Sequence, residues 1–135
     1  GLFMVRFEFR EEKSEHFGTI PRPVAEVKLF GKVTVKEIFY VDSGADITIL
    51  PRSVGELLGF ELRDSEIIDL YGVGESALSV VIKEIEMEIG EEKFKARVGW
   101  ALTERVPLLL GRLDIFDKFE VIFNQQKGFI DFLPL

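Results

Sequence analysis

The chain has no cysteine and a single histidine, His16. Without thiols there is neither a disulfide nor a thiolate-bound metal, and the composition suits a reducing cytoplasm. His16 lies in the polar stretch EEKSEHFGT (11–19) and reads as solvent-exposed, so a nucleophilic triad or a zinc site lacks its parts; no metal and no cofactor are expected. Long apolar runs are missing too. No stretch reaches the roughly 18 residues that cross a bilayer as a helix, and the opening GLFMVRFEFREEK alternates polar and apolar residues where a secretory signal carries an unbroken apolar core. The expectation is a cytoplasmic chain with no membrane partner. Positive charge is scarce, with 17 Lys and Arg against 24 Asp and Glu, a net charge of −7 and a pI near 4.8. Such a surface repels phosphates, so no nucleic-acid partner is expected.

What the chain does have is strand pattern. Its 135 residues, 47% of them hydrophobic, make one domain with an ordinary core. FMVRFEFR (3–10) sets Phe3, Val5, Phe7 and Phe9 on one side and Met4, Arg6, Glu8 and Arg10 on the other, the period-2 signature of a half-buried strand. The polar stretch 11–19 reads as a loop. VAEVKLFG (24–31), VTVKEIFYVD (33–42), SVVIKEIEMEIG (79–90), FKARVGWA (94–101), FEVIFN (119–124) and GFIDFL (128–133) follow as strands. Hairpin connections are expected at Gly31-Lys32, at Gly90 to Lys93 and at Asn124 to Gly128. Glu84, Glu86 and Glu88 alternate with Ile85, Met87 and Ile89 as a solvated strand face. Only two short segments read as helical: SVGELLG (53–59), with Ser53 and Glu56 at capping-box spacing and Gly59 as its stop, and LDIFDKF (113–119). The fold class is mostly β.

One stretch breaks the pattern in a chemically suggestive way. EIFYV (37–41) is a β-branched and aromatic run headed for the interior, yet it ends on the carboxylate of Asp42, which loses solvation unless the fold supplies partners. Ser43 can donate and accept, Gly44 permits a tight turn beside a ligand, and Ala45 adds almost no bulk. DITILP then returns to strand character, so the carboxylate sits on a turn braced on both sides.

Asp42-Ser43-Gly44-Ala45-Asp46 resembles the catalytic loop of the retropepsin-like aspartic proteases, whose pattern is Asp, Thr or Ser, Gly, Ala, often followed by Asp. In order along the chain, PVAEVKLFGK (23–32) resembles that family's first core strand, DLYGVGESALS (69–79) its glycine-bearing flap hairpin, and VPLLLGRLDIF (106–116) its apolar strand ending in Gly-Arg and a short helix. The resemblance spans roughly residues 21–133, leaving 1–20 as an amino-terminal strand and loop extension. It implies a closed β-barrel or sandwich with a flap and one or two short helices. It also implies an aspartic endopeptidase that needs no cofactor and hydrolyses peptide or protein substrates with an activated water. By resemblance Asp42, Ser43 and Gly44 are catalytic, Gly44, Ala45, Asp46, Gly72, Val73 and Gly74 contact substrate, and Arg112 supports the loop by pairing with Asp46. The chain carries one Asp-Ser-Gly, whereas two-lobed relatives carry two such turns, so the second aspartate is expected from a homodimer partner. Two blander readings stand beside this one. Gly72-Val73-Gly74 is a plain turn and no phosphate loop, because it lacks the third glycine, the lysine and the following helix. The whole chain could also be a noncatalytic retropepsin-like module for dimerisation or peptide binding.

Overall fold

A computed structural model describes residues 3–63, 65–72 and 76–135. Among these residues twelve strands and one short helix follow in order: β1 (Val5–Glu8), β2 (Arg10–Ser14), β3 (Gly18–Arg22), β4 (Val24–Phe30), β5 (Thr34–Val41), β6 (Thr48–Leu50), α1 (Arg52–Leu57), β7 (Ile67–Tyr71), β8 (Ala77–Ile89), β9 (Glu92–Ala101), β10 (Leu109–Leu110), β11 (Phe119–Asn124) and β12 (Phe129–Pro134). Six of them close on themselves in the order β4-β5-β10-β6-β9-β8, with β8 pairing back onto β4 through Lys28–Phe30 and Glu86–Glu88. Closure removes the open edges that a sheet of this size would otherwise expose. β7 is added outside the ring as the antiparallel partner of β8.

Alternation explains the long hairpin of β8 and β9. Ile85, Met87 and Ile89 are buried, while Glu84, Glu86 and Glu88 turn outward opposite Arg97, Lys95 and Lys93. Opposite charges facing across an antiparallel ladder stabilise the pair. Gly90 at the turn has φ +61°, the left-handed region in which a side chain is strained. The barrel interior is filled by Phe39, Leu29, Leu50, Val98, Leu110 and their neighbours. Outside it, β1, β12 and β11 form a three-stranded sheet. Edge-to-face contacts run from Phe7 to Phe132, Phe119 and Phe94, with centroids 5.9, 5.5 and 5.6 Å apart, and tie that sheet to the barrel. Arg6 grips the buried Asp131 of β12 with two hydrogen bonds of 2.7 and 2.9 Å. The two apolar ends of the chain thus pair with each other.

Three expectations need correction. Residues 11–19 are no loop: β2 and β3 pair antiparallel from Arg10↔Arg22 to Ser14↔Gly18 as a separate hairpin. Backbone pairing makes this hairpin without an apolar stripe, so the alternation that marks other strands is weak here. In the segment 113–119, residues 113–118 form successive turns instead of a helix, with Asp114 at φ +64°, and Phe119 already begins β11. Its carboxylate bonds the Arg97 backbone and guanidinium on β9 at 2.9–3.0 Å, a tertiary contact that outweighs local helix preference. The segment 53–59 is helical as expected and Gly59 ends it at φ +88°, but no capping box forms. Ser53 gives its N–H and hydroxyl to Glu104, and α1 packs Gly55 flat against Trp100, where a Cβ would fall 2.1 Å from the indole nitrogen.

Candidate active site

β5 carries its apolar run to Val41 and leaves Asp42 at the mouth of the barrel, half-buried. The turn is built largely from backbone. The Asp42 N–H donates to the Leu110 carbonyl at 3.0 Å, the Gly44 N–H to Asp42 Oδ1 at 2.9 Å, and the Ala45 N–H to the Asp42 carbonyl at 3.1 Å. A Cβ on Gly44 would press to 3.3 Å from the same Oδ1, so glycine keeps the carboxylate uncrowded. The other end of the turn is stapled to the segment after β10. The Arg112 N–H donates to the Ala45 carbonyl and the Leu113 N–H to that of Asp46, both at 2.9 Å. The Gly111 N–H donates to the hydroxyl of fully buried Thr48 at 3.0 Å. Gly111 can have no side chain, because a Cβ there would lie 2.4 Å from the Ile47 carbonyl carbon.

The residues singled out from sequence are brought together in part. Asp42, Gly44, Ala45 and Asp46 line one cleft of about 630 Å³, roofed by Tyr71 and Gly72 of the β7–β8 hairpin. Ser43 is exposed on the same turn. Val73 and Gly74 lie outside the described residues. Across the hairpin Ser79 Oγ donates to Asp69 Oδ1 at 2.7 Å. The expected ion pair between Arg112 and Asp46 is absent among the described residues: both side chains are exposed, and Arg112 supports the turn through its backbone N–H instead.

Sequence reasoning missed a second cavity, of about 470 Å³, that also opens on Asp42. Glu12 and Arg22 of the β2–β3 hairpin line it together with Pro23, Tyr40, Val41 and Leu109. The Tyr40 hydroxyl donates to Glu12 Oε2, which also accepts Arg10 Nε at 3.2 Å and Nη2 at 3.1 Å. Tyr40, then Arg10 and Arg22, hold the Glu12 carboxyl below the usual glutamate range against the opposing effect of desolvation. The only signal for this cavity in the sequence was the unexplained run of charged residues ahead of the core. Among the described residues no group of three or more His, Cys, Asp or Glu is arranged to hold a metal ion, and no helix is long and apolar enough to cross a membrane.

Comparison of the architecture with solved structures is decisive for the fold. A retropepsin-like aspartic protease from Rickettsia conorii superposes with a TM-score of 0.68 at 19% identity, over 97% of this chain and 99% of that one. The fold is retropepsin-like. The EIAV protease in complex with the inhibitor HBY-793 is a further neighbour, with a TM-score of 0.48 at 18% identity, covering 67% of this chain and 82% of that one. No family model and no curated protein matches the sequence. Asp42 shares its cleft with Tyr71 and Gly72 of the β7–β8 hairpin, and the Asp-Ser-Gly turn connects β5 and β6, which are consecutive in sequence yet separated in the ring by β10.

Proposed function

We propose that the protein is an aspartic endopeptidase, active as a homodimer. The carrying observation is the turn itself: a half-buried carboxylate, pinned through backbone bonds and opening on two cavities, on a retropepsin-like barrel. A single aspartate cannot serve as both base and acid in one step, and the chain has no second Asp-Ser-Gly. A twofold axis beside the turn supplies the missing group as Asp42 of a second copy. Two carboxylates a few ångströms apart hold one proton between them. The ionised one then takes a proton from water while the neutral one gives its proton to the scissile carbonyl oxygen, and the water oxygen adds to the carbonyl carbon to give a tetrahedral diol. Collapse of the diol with protonation of the amide nitrogen releases amine and acid, with no acyl-enzyme.

The exposed turn supports this reading, because Ser43 is free to meet its own copy across the axis. The β7–β8 hairpin acts as a flap that lies over an extended peptide and offers it backbone groups. The experiment is digestion of a diverse peptide library from roughly pH 3 to 7, with and without a statine-type transition-state mimic, beside Asp42→Asn. We expect cleavage that the mimic blocks and the substitution abolishes. No cleavage, or cleavage that survives Asp42→Asn, removes the enzyme and leaves a peptide-binding or dimerisation module.

A further inference from the structure

A lone two-stranded hairpin is marginal in water, and β2 and β3 pair with no other strand among the described residues. What orients them is a cluster of side chains at the strand that delivers Asp42. Tyr40, two residues before the aspartate, donates its hydroxyl to Glu12, and the Arg10 guanidinium carbon sits 5.1 Å from the Tyr40 ring centroid. The hairpin thereby becomes a wall of the cavity beside Asp42.

That wall carries a specific chemical pattern. Glu12 Oε2 is saturated by Tyr40 and Arg10, whereas Oε1 has only Arg22 Nε at 3.9 Å, too far for a hydrogen bond. Among the described residues the Arg22 guanidinium donates no hydrogen bond. An open acceptor and open donors therefore face the same space, 3.9 Å apart, above walls formed by Pro23, Val41, Leu109 and the Tyr40 ring. A lysine side chain entering there meets Arg22, and a glutamate meets both Glu12 and Asp42. A neutral group that donates and accepts at once satisfies both partners. A carboxamide can do so but leaves the apolar walls bare, whereas a phenol fills them and reaches the polar pair with its hydroxyl.

We infer that Glu12 and Arg22 are specificity-determining residues, and that the cavity takes a tyrosine side chain adjacent to the scissile bond in preference to phenylalanine. The inference rests on the endopeptidase reading, and the test separates the two. Peptides that differ only in Tyr, Phe, Gln, Lys or Glu on the amino side of the scissile bond are compared for kcat/KM, and matched uncleavable statine-type mimics for affinity. Tyr is expected to exceed Phe by about tenfold in both measurements, the scale of one net hydrogen bond in a site still open to water. Arg22→Leu, which leaves the Glu12–Tyr40 anchor in place, and Glu12→Leu should each bring the ratio close to one. Glu11→Gln, on the opposite face of β2, should not move it. Equal Tyr and Phe values, a ratio that neither Leu variant changes, or failure of both mimics to bind overturns the inference. Tyr-selective mimic binding without any cleavage sustains it and sinks the endopeptidase.

Discussion

Thr48 is fully buried, and its hydroxyl accepts the Gly111 N–H. Thr48→Val keeps the shape and deletes the acceptor, leaving a buried N–H unpaired. Such a group costs about 1–3 kcal/mol, so chemical denaturation should show a loss of that size, and any peptidase activity should fall because Gly111 braces the Asp42 turn. Asp114 gives a different handle. The Arg97 side chain and then its backbone N–H pull the Asp114 carboxyl down to about 2, against desolvation, which raises it. Folded Asp114 therefore stays ionised at a pH where the unfolded chain has already taken up the proton. Stability from this contact is complete above about pH 4 and is lost as pH falls through about 2. Arg6 on Asp131 acts in the same direction. In urea titrations across this window Arg97→Gln should flatten part of the acid-side loss. An unchanged slope would show that Asp114 contributes nothing to it.

The short strand β10 and the turn after it do more for the site than their length suggests. Gly111 lies so close to Ile47 and Thr48 that a methyl group would meet backbone atoms at 2.4, 2.5 and 2.9 Å. Backbone cannot step aside as a side-chain tip can, so Gly111→Ala should destabilise by at least about 1–3 kcal/mol and lower the thermal midpoint. A neutral outcome in calorimetry would refute this packing argument. Local pattern made much of the architecture legible. β4, β5, β8 and the first half of β9 announce themselves because one face is buried and the other wet, β11 and β12 because β-branched and aromatic runs lie between turn residues, and Asp42 because a carboxylate closes an apolar run. The hairpin β2–β3 was hidden because its residues pair through backbone and bury no apolar stripe. The turns at 113–118 were hidden because Asp114 answers to Arg97, a residue 17 positions away. Glu12 and Arg22 were hidden for a related reason: their meaning comes from Tyr40, and the 28-residue separation of Glu12 and Tyr40 leaves no periodic trace.

The 135 residues offer one Asp-Ser-Gly turn, and the endopeptidase reading needs two. Mixing wild-type protein with an equal amount of Asp42→Asn tests this directly. If subunits exchange and both aspartates are required, about a quarter of the dimers keep the full pair, and activity per wild-type chain falls to roughly half. Undiminished activity per wild-type chain would place the whole reaction within one subunit. The ring itself has a further consequence. β5 and β6 flank the Asp42 turn but do not bond to each other; Leu109 and Leu110 lie between them, aligned with Tyr40, Val41 and Ile49, and Leu110 receives the Asp42 N–H. Contacts between segments so far apart in sequence form late. A ribosome making this chain must therefore finish the barrel's last stave before the aspartate is held in place, and the unfinished polypeptide leaves the exit tunnel with its chemistry still unassembled.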